Sequence, residues 1–165
     1  VFNDDNLALE VKVDKDNETV WLNLEESAIL FDNEEKGLLG SKAFNKKYSN
    51  LLVNKMVINF DCVGVGNNIL FIAKEKAMNH ALYEKLVMNC ESNNDFNIEF
   101  YSIEVSHSNS DYKSFECGIG VMACKKKNNV YYTGKIHTNR DTEAYNENIE
   151  FLVDGSRKLY NLISK

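Results

Sequence analysis

The sequence lacks the features of a membrane protein and of a nucleic-acid-binding protein. It contains no run of about 18 consecutive apolar residues, so no membrane-spanning helix is predicted, and residues 1–6 are not a signal peptide. The net charge is −6, and the lysines form no stripe with aromatic residues, so no nucleic-acid surface is expected. Proline is absent altogether, and we draw no function from that absence.

Cysteine is scarce and has no metal-binding spacing. None of the four cysteines forms a Cys-x-x-Cys pair, and most of them stand in apolar surroundings. We therefore expect buried free thiols rather than disulfides or a zinc site built from thiolates. Free thiols favour a reducing compartment, which agrees with a cytoplasmic location.

The chain is long enough for one domain, with 44% hydrophobic and 27% charged residues. No internal repeat and no linker rich in glycine or serine interrupts residues 1–165, so we predict a single domain. The first residue is Val1 rather than Met, and we expect that an N-terminal part of the protein precedes it.

Apolar runs alternate with helical patterns along the chain. Strands are predicted at residues 28–31, 52–60, 69–73, 97–101 and 119–124, and helices at 37–48, 74–89 and 146–163. Residues 6–24 fit either a short helix or a pair of strands, and the three lysines at 125–127 are expected at the solvated edge of a hairpin. The alternation predicts a layered α/β fold.

Acidic residues follow two of the predicted strands. The strand at 28–31 leads to the adjacent carboxylates Glu34 and Glu35, and the strand at 52–60 leads directly to Asp61. Ligands gather at the carboxyl ends of strands in α/β sheets, so these side chains are candidates for a site. Two adjacent carboxylates persist most readily where a cation holds one and a proton can reside on the other. That is the arrangement of a metal ligand beside a general base.

Asp5 and His137 complete a set of metal-ligand types, because a hydrolytic metal takes carboxylate oxygens and neutral imidazole. Each candidate also has an ordinary structural interpretation when taken alone. These are a turn or capping acid for Asp5, first-turn helix acids for Glu34 and Glu35, a turn start for Asp61, and a surface loop for His137. Of the other histidines, His80 is expected on a helix surface or at an interface, and His107 is a further site candidate.

Five short motifs stand in order along nearly the whole chain. They are Asn-Asp-Asp-Asn at 3–6, Phe-Asp-Asn-Glu-Glu-Lys-Gly-Leu-Leu-Gly-Ser at 31–41, Ile-Asn-Phe-Asp-Cys-Val-Gly at 58–64, Ser-Asp-Tyr-Lys-Ser-Phe at 110–115 with Gly-Ile at 118–119, and His-Thr-Asn-Arg-Asp-Thr at 137–142. In order and residue type they resemble the motifs of the zinc aminopeptidases with co-catalytic metals. Relatives in that family include aminopeptidase Y, glutamate carboxypeptidase and the single-zinc glutaminyl cyclase.

Four positions depart from the family pattern. Asn33 stands where the family often has glycine, Tyr112 where it has histidine, and Ile136 where some members have tyrosine. The first ligand histidine of the family falls before Val1.

The resemblance implies a three-layer α/β fold, with a mostly parallel mixed sheet and helices on both faces. It implies that Glu34 is the general base, that Asp5 bridges two metals, that Glu35 and His137 bind one zinc, and that Asp61 binds the other. Asp111 or Asp141 would orient a ligand imidazole. Only one zinc has a full set of three ligands here, so we expect one tightly bound ion and a second that depends on upstream sequence.

The function predicted from these residues is that of a metal-dependent exopeptidase of aminopeptidase type, with a peptide as its substrate. Two alternatives stay open. Asp5, Glu35 and His137 would suffice for a single-zinc acyltransferase like glutaminyl cyclase, and a catalytically silent domain could keep the fold. Retention of Glu34 argues against a catalytically silent domain, because a purely structural zinc needs no base. The missing first histidine favours such a domain.

Overall fold

The structure is a computed structural model that describes residues 10–14, 19–23, 27–63, 66, 68–92, 97–106, 108–133 and 135–139. The chain divides into two units, Val1–Val53 and Asn54–Lys165. No helix in these described ranges is both long and apolar enough to cross a membrane. The single domain expected over residues 1–165 stays a prediction.

The first unit contains a three-stranded antiparallel sheet. Its strands pair in the order β1-β2-β3, and their bounds are Glu10–Asp14 for β1, Thr19–Asn23 for β2 and Ser27–Leu30 for β3. Of the two possibilities for residues 6–24, the pair of strands is therefore the one observed. The strand predicted at 28–31 is confirmed as β3.

Helical segments follow β3 in the first unit. The 3₁₀ helix η1 (Glu34–Lys36) leads into α1 (Leu39–Tyr48), and a second 3₁₀ helix, η2 (Ser49–Leu51), follows. Phe44 is the buried aromatic residue of α1, and the Phe31 ring packs on it edge-on at 5.5 Å between centroids. The helix predicted at 37–48 is confirmed.

The second unit contains a mixed sheet with the order β4-β7-β5-β6, and β8 pairs with the end of β7. The bounds are Val57–Phe60 for β4, Asn68–Ala73 for β5, Asn97–Ser102 for β6, Gly118–Lys127 for β7 and Val130–Tyr132 for β8. Two of the four described pairings, β4 with β7 and β5 with β6, are parallel, and the other two are antiparallel. The predicted α/β fold with a mixed sheet is confirmed.

The core of the second unit lies on both faces of β5, whose six residues are all buried. On one face Ile69, Phe71 and Ala73 pack with side chains of β7 and of the helices α2 (Glu75–Met78) and α3 (Tyr83–Glu91). On the other face Leu70 and Ile72 pack against Tyr112 of the 3₁₀ helix η3 (Asp111–Ser114). A strand covered on both faces reads as a continuous apolar run, which is why β5 was predictable. The helix predicted at 146–163 lies outside the described residues.

Two predicted elements are shorter than expected. The helix predicted at 74–89 is divided into α2 and α3, because Leu82 N–H bonds to the Nδ1 atom of His80 rather than continuing a helix. The Nε2 atom of His80 then donates to the Asn54 carbonyl at 3.1 Å. His80 therefore has a structural role in a turn.

The strand predicted at 52–60 begins only at Val57, since Asn54 takes a left-handed backbone with φ of 56°.

The lysine run lies as expected, and two of the four cysteines do. None of the four forms a disulfide, Cys90 and Cys124 are buried, and Cys62 and Cys117 are partly exposed. Lys125–Lys127 end β7 in a hairpin, whose two turn residues, Asn128 and Asn129, both have positive φ. Asparagine tolerates that conformation, which two-residue hairpins with matching twist require.

A partly buried polar cluster connects this hairpin to β6. Glu99 accepts hydrogen bonds from Tyr101 at 2.7 Å and from Lys126 at 2.9 Å, and the Tyr101 and Tyr131 hydroxyls are 3.2 Å apart. Hydrogen bonds from Tyr131, Lys126 and Tyr101 lower the pKa of Glu99 from its ordinary 4.5 to about 2. The carboxylate form is therefore the one that the folded chain stabilises.

The lowered pKa of Glu99 makes this cluster sensitive to acid. The folded chain binds the Glu99 proton more weakly than the unfolded chain, so the carboxylate stabilises the fold above pH 4.5. This stabilisation disappears as the pH falls from 4.5 towards 2. We expect Glu99→Gln to lower the free energy of unfolding at pH 7, and the difference from wild type to vanish near pH 2.

Urea unfolding across this pH range measures the effect. Glu116→Gln is the matched control, because Glu116 pairs with Lys76 at 3.0 Å but both side chains are mostly exposed, at 76% and 65%. Such pairs contribute little. Equal losses of stability in the two variants would contradict the special role of Glu99.

Candidate functional site

The segment from Asp32 to Gly40 is a tightly hydrogen-bonded turn between β3 and α1. Asn33 has φ of 56° and ψ of 35°, and its amide N–H and side-chain NH₂ donate to the Asp32 carboxylate at 2.6 and 2.9 Å. Glycine adopts this left-handed conformation most easily, and asparagine is among the other residues that tolerate it best. Asn33 can therefore form this turn, although the family motif often has glycine at its position.

Glu34 and Glu35 begin the 3₁₀ helix η1 within this turn. Glu34 is half-buried and Glu35 is exposed. Both side chains lie in the first helical turn, as their ordinary structural interpretation also expected. The Glu34 carbonyl accepts bonds from Gly37 N at 3.0 Å and Leu38 N at 2.8 Å, so the backbone beneath the two acids is fixed. Adjacent acids with unequal exposure suit two different roles.

Leu38 ends the turn in an unusual conformation. Its φ is 61°, which costs a residue with a Cβ roughly 1–2 kcal/mol. Leu38 is nevertheless only 5% exposed, and the burial of its apolar surface offsets the cost. Leu38 belongs to the motif at 31–41, but its left-handed backbone was not predictable, because an apolar residue at the start of a helix pattern gives no such signal.

Gly40 is required by the same turn. A Cβ atom at this position would lie 2.5 Å from the Asp32 carbonyl oxygen and 2.9 Å from its nitrogen. We expect Gly40→Ala to destabilise the chain by about 1–3 kcal/mol, although alanine is ordinarily the better residue inside a helix. Urea unfolding measures the loss.

Gly37→Ala is the control for this prediction. No atom lies within 4 Å of a Cβ at Gly37, so only the cost of its positive φ, 98°, applies. A Gly40→Ala chain as stable as wild type would contradict the geometry of the turn.

Asp61 lies at the carboxyl end of β4, as predicted. Its backbone N–H donates to the Val121 carbonyl at 3.0 Å, which extends the parallel pairing one residue beyond the strand. The side chain is half-buried. The next residue, Cys62, has a left-handed backbone with φ of 52°, and its carbonyl accepts the Ala123 N–H at 3.3 Å.

Polar contacts hold η3 against β4, two residues before Asp61. The side-chain oxygen of Asn59 accepts hydrogen bonds from Ser110 Oγ at 2.8 Å and from Tyr112 N at 3.2 Å. Tyr112 is fully buried, and a Cβ at Gly120 would lie 2.7 Å from its ring. Tyr112, which stands at a histidine position of the family motif, is therefore a core residue here. Asp111 beside it is also buried, with 6% exposed.

His137 lies in a short turn after β8. Thr138 N and Thr138 Oγ1 both donate to the Lys135 carbonyl, at 3.2 and 2.7 Å. His137 is the third residue of this turn, with φ of 61°, and its side chain is exposed. Histidine is one of the residues that adopt left-handed backbone more often than most.

Left-handed backbone marks the three described segments that carry the predicted metal ligands and the predicted base. Seven described residues other than glycine have positive φ, and four of them are asparagine. The remaining three are Leu38, Cys62 and His137. Leu38 follows Glu35 by three residues, Cys62 follows Asp61 directly, and His137 is itself a predicted ligand. Strained backbone of this kind clusters at functional sites, so this distribution suggests a function for all three segments.

The described residues contain no group of three or more His, Cys, Asp or Glu side chains close enough to hold a metal ion. Glu34 and Glu35 belong to the first unit, and Asp61 and His137 to the second. Asp5, His107 and Asp141 lie outside the described residues. Carboxylate oxygens and an imidazole nitrogen are donors that zinc accepts, so the predicted set fits the metal by its chemistry. Its convergence on one ion stays a prediction.

Comparison of the chain with models of protein families identifies the family to which it belongs. Residues 25–152 match the model of peptidase family M28. The chain belongs to this family. The match covers most of the chain and includes Glu34, Glu35, Asp61 and His137, whereas Asp5 precedes it. Neither the curated proteins nor the solved structures give a match to the chain.

Membership of family M28 establishes the general class of the chain. The family consists of metal-dependent peptidases, which generally use zinc and act on peptides. The predicted resemblance to zinc peptidases is therefore confirmed at the level of the family, and the mixed α/β sheet agrees with it.

Proposed function

We propose that this chain is a zinc exopeptidase of aminopeptidase type, which removes N-terminal residues from peptides. The observation that carries the proposal is the family M28 match, which contains Glu34, Glu35, Asp61 and His137 in one continuous stretch. In the proposed site Asp5, Glu35 and His137 hold one zinc ion. Asp61 belongs to a second, weaker position that it shares with Asp5.

The backbone supports this assignment from a different direction. Each described segment that contributes a proposed ligand contains a left-handed residue other than glycine or asparagine, namely Leu38, Cys62 or His137. Loops fixed in this way hold side chains in one geometry, and metal ligands need such a geometry. The ordinary interpretations of these acids and of the histidine do not explain why strain falls on all three segments.

The two glutamates divide the chemistry. Bound zinc supplies Lewis-acid polarisation of the scissile carbonyl and makes water more acidic. Glu34 takes the proton of the attacking water and passes it to the nitrogen of the leaving amine. Glu35, the more exposed of the two, serves as a ligand. The hydrogen-bonded turn fixes the backbone that carries both residues.

Substitution of each glutamate by glutamine separates these roles. Glu34→Gln should remove most hydrolysis of aminoacyl-amide substrates while zinc binding stays close to wild type, because glutamine keeps the shape and loses the proton shuttle. Glu35→Gln should instead weaken zinc binding. Turnover and a competition titration with zinc measure the two effects side by side.

Glu91→Gln provides the matched control, since Glu91 is an exposed acid at the end of α3. It should change neither property. Equal loss of zinc binding in Glu34→Gln and Glu35→Gln would contradict the division of roles. Cyclisation of N-terminal glutamine without peptide hydrolysis would favour the acyltransferase alternative, and zinc binding without either reaction would favour the silent domain.

A further inference from the structure

Strand β4 is held in the sheet by a single neighbouring strand. Among the described strands it is an edge strand, four residues long, and it pairs with β7 alone. At the Asp61 end its last bonds to β7 run from Asp61 N–H to the Val121 carbonyl at 3.0 Å and from Ala123 N–H to the Cys62 carbonyl at 3.3 Å. The end of a short edge strand opens easily unless another contact holds it.

Asn59 supplies such a contact on the face of the sheet where Asp61 lies. Side chains two residues apart on a strand share a face, and the Asp61 N–H continues the pairing with β7. Asn59 therefore lies on the same face as Asp61. Its side-chain oxygen accepts both the Ser110 hydroxyl and the Tyr112 N–H, which join β4 to η3.

The η3 helix is itself a rigid partner for this contact. The Tyr112 carbonyl lies so close to Gly118 that a Cβ there would be 2.0 Å away, and its ring lies against Gly120. At the other end of η3, Lys74 Nζ donates to the carbonyls of Lys113 at 3.2 Å and Phe115 at 2.6 Å. Because η3 is held at both ends, its hydrogen bonds to Asn59 can restrain β4.

We propose that Asn59 is a positioning residue, which holds the end of β4, and with it the Asp61 carboxylate, through its hydrogen bonds to Ser110 and Tyr112. The part of this inference that concerns metal binding rests on the proposed function. Asn59 belongs to the motif that ends at Gly64, but its role was not predictable from sequence, because one polar residue in an apolar strand gives no signal of what it contacts.

Amide hydrogen exchange at Asp61 tests the inference without any metal, since the Asp61 N–H bonds to the Val121 carbonyl. Ser110→Ala removes one hydrogen bond and should raise exchange at Asp61 about fivefold, and Asn59→Leu removes two and should raise it tenfold or more. Exchange at Phe71 in the buried strand β5 reports global opening and should change less. Ser110→Thr keeps the hydroxyl and should behave as wild type.

Competition titration with zinc on the same proteins gives the second readout. We expect Asn59→Leu to weaken zinc binding at the second position, to which Asp61 belongs, about tenfold and to leave the first position unchanged. Asn68→Leu is the matched control, because Asn68 is a buried asparagine that also bonds through its side chain, to the Cys124 carbonyl and to Asn97. It should lower stability without a selective effect at Asp61 or on zinc.

The outcomes separate this inference from the proposed function. Exchange at Asp61 that is unchanged, or that rises only in step with Phe71, overturns the positioning role. A selective rise at Asp61 with unchanged zinc affinity overturns its relevance to the metal. If wild-type chain binds no zinc, the proposed function fails, and exchange alone then decides if Asn59 holds Asp61. Should Asn59→Leu not fold, Ser110→Ala and Ser110→Thr carry both readouts.

Discussion

Burial of β5 on both faces is the constraint on which the second unit depends. All six residues of Asn68–Ala73 are buried, and the strand needs a neighbour on each side and a cover on each face. The helices α2 and α3 cover one face, and Tyr112 of η3 covers the other. The close approach of Tyr112 to Gly118 and Gly120 follows from this requirement, because no larger residue would leave room for it.

The candidate site depends on how the chain leaves its strands. Polar residues at a strand end lose the pairing that fixes the strand itself, so other contacts must hold them. In the first unit the Asp32–Gly40 turn does so through its own backbone hydrogen bonds. In the second unit Asn59 ties β4 to η3, and the Lys135 carbonyl closes the turn that contains His137. Within each unit, these bonds fix the backbone that carries the predicted site residues.

Much of the fold and part of the site were predictable from sequence. Apolar runs identified β3, β5, β6 and β7, and strand ends with acids identified the segments of Glu34, Glu35 and Asp61. The break between α2 and α3 was not predictable, because the apolar spacing continues through it and the interruption comes from the His80 side chain. The late start of β4 came from the backbone of Asn54. The role of Asn59 depends on a contact 51 residues away along the chain.

The proposed function depends on the binding of one zinc ion by Glu35 and His137. Crystals grown with zinc and measured at the zinc absorption edge locate the ion and its ligands. We expect one strong anomalous peak per chain, with Glu35 oxygen and His137 nitrogen about 2.0–2.2 Å from it and Glu34 beside it. A zinc ion bound without Glu35 and His137, or those two residues too far apart to share an ion, would show that the proposed ligand set is wrong.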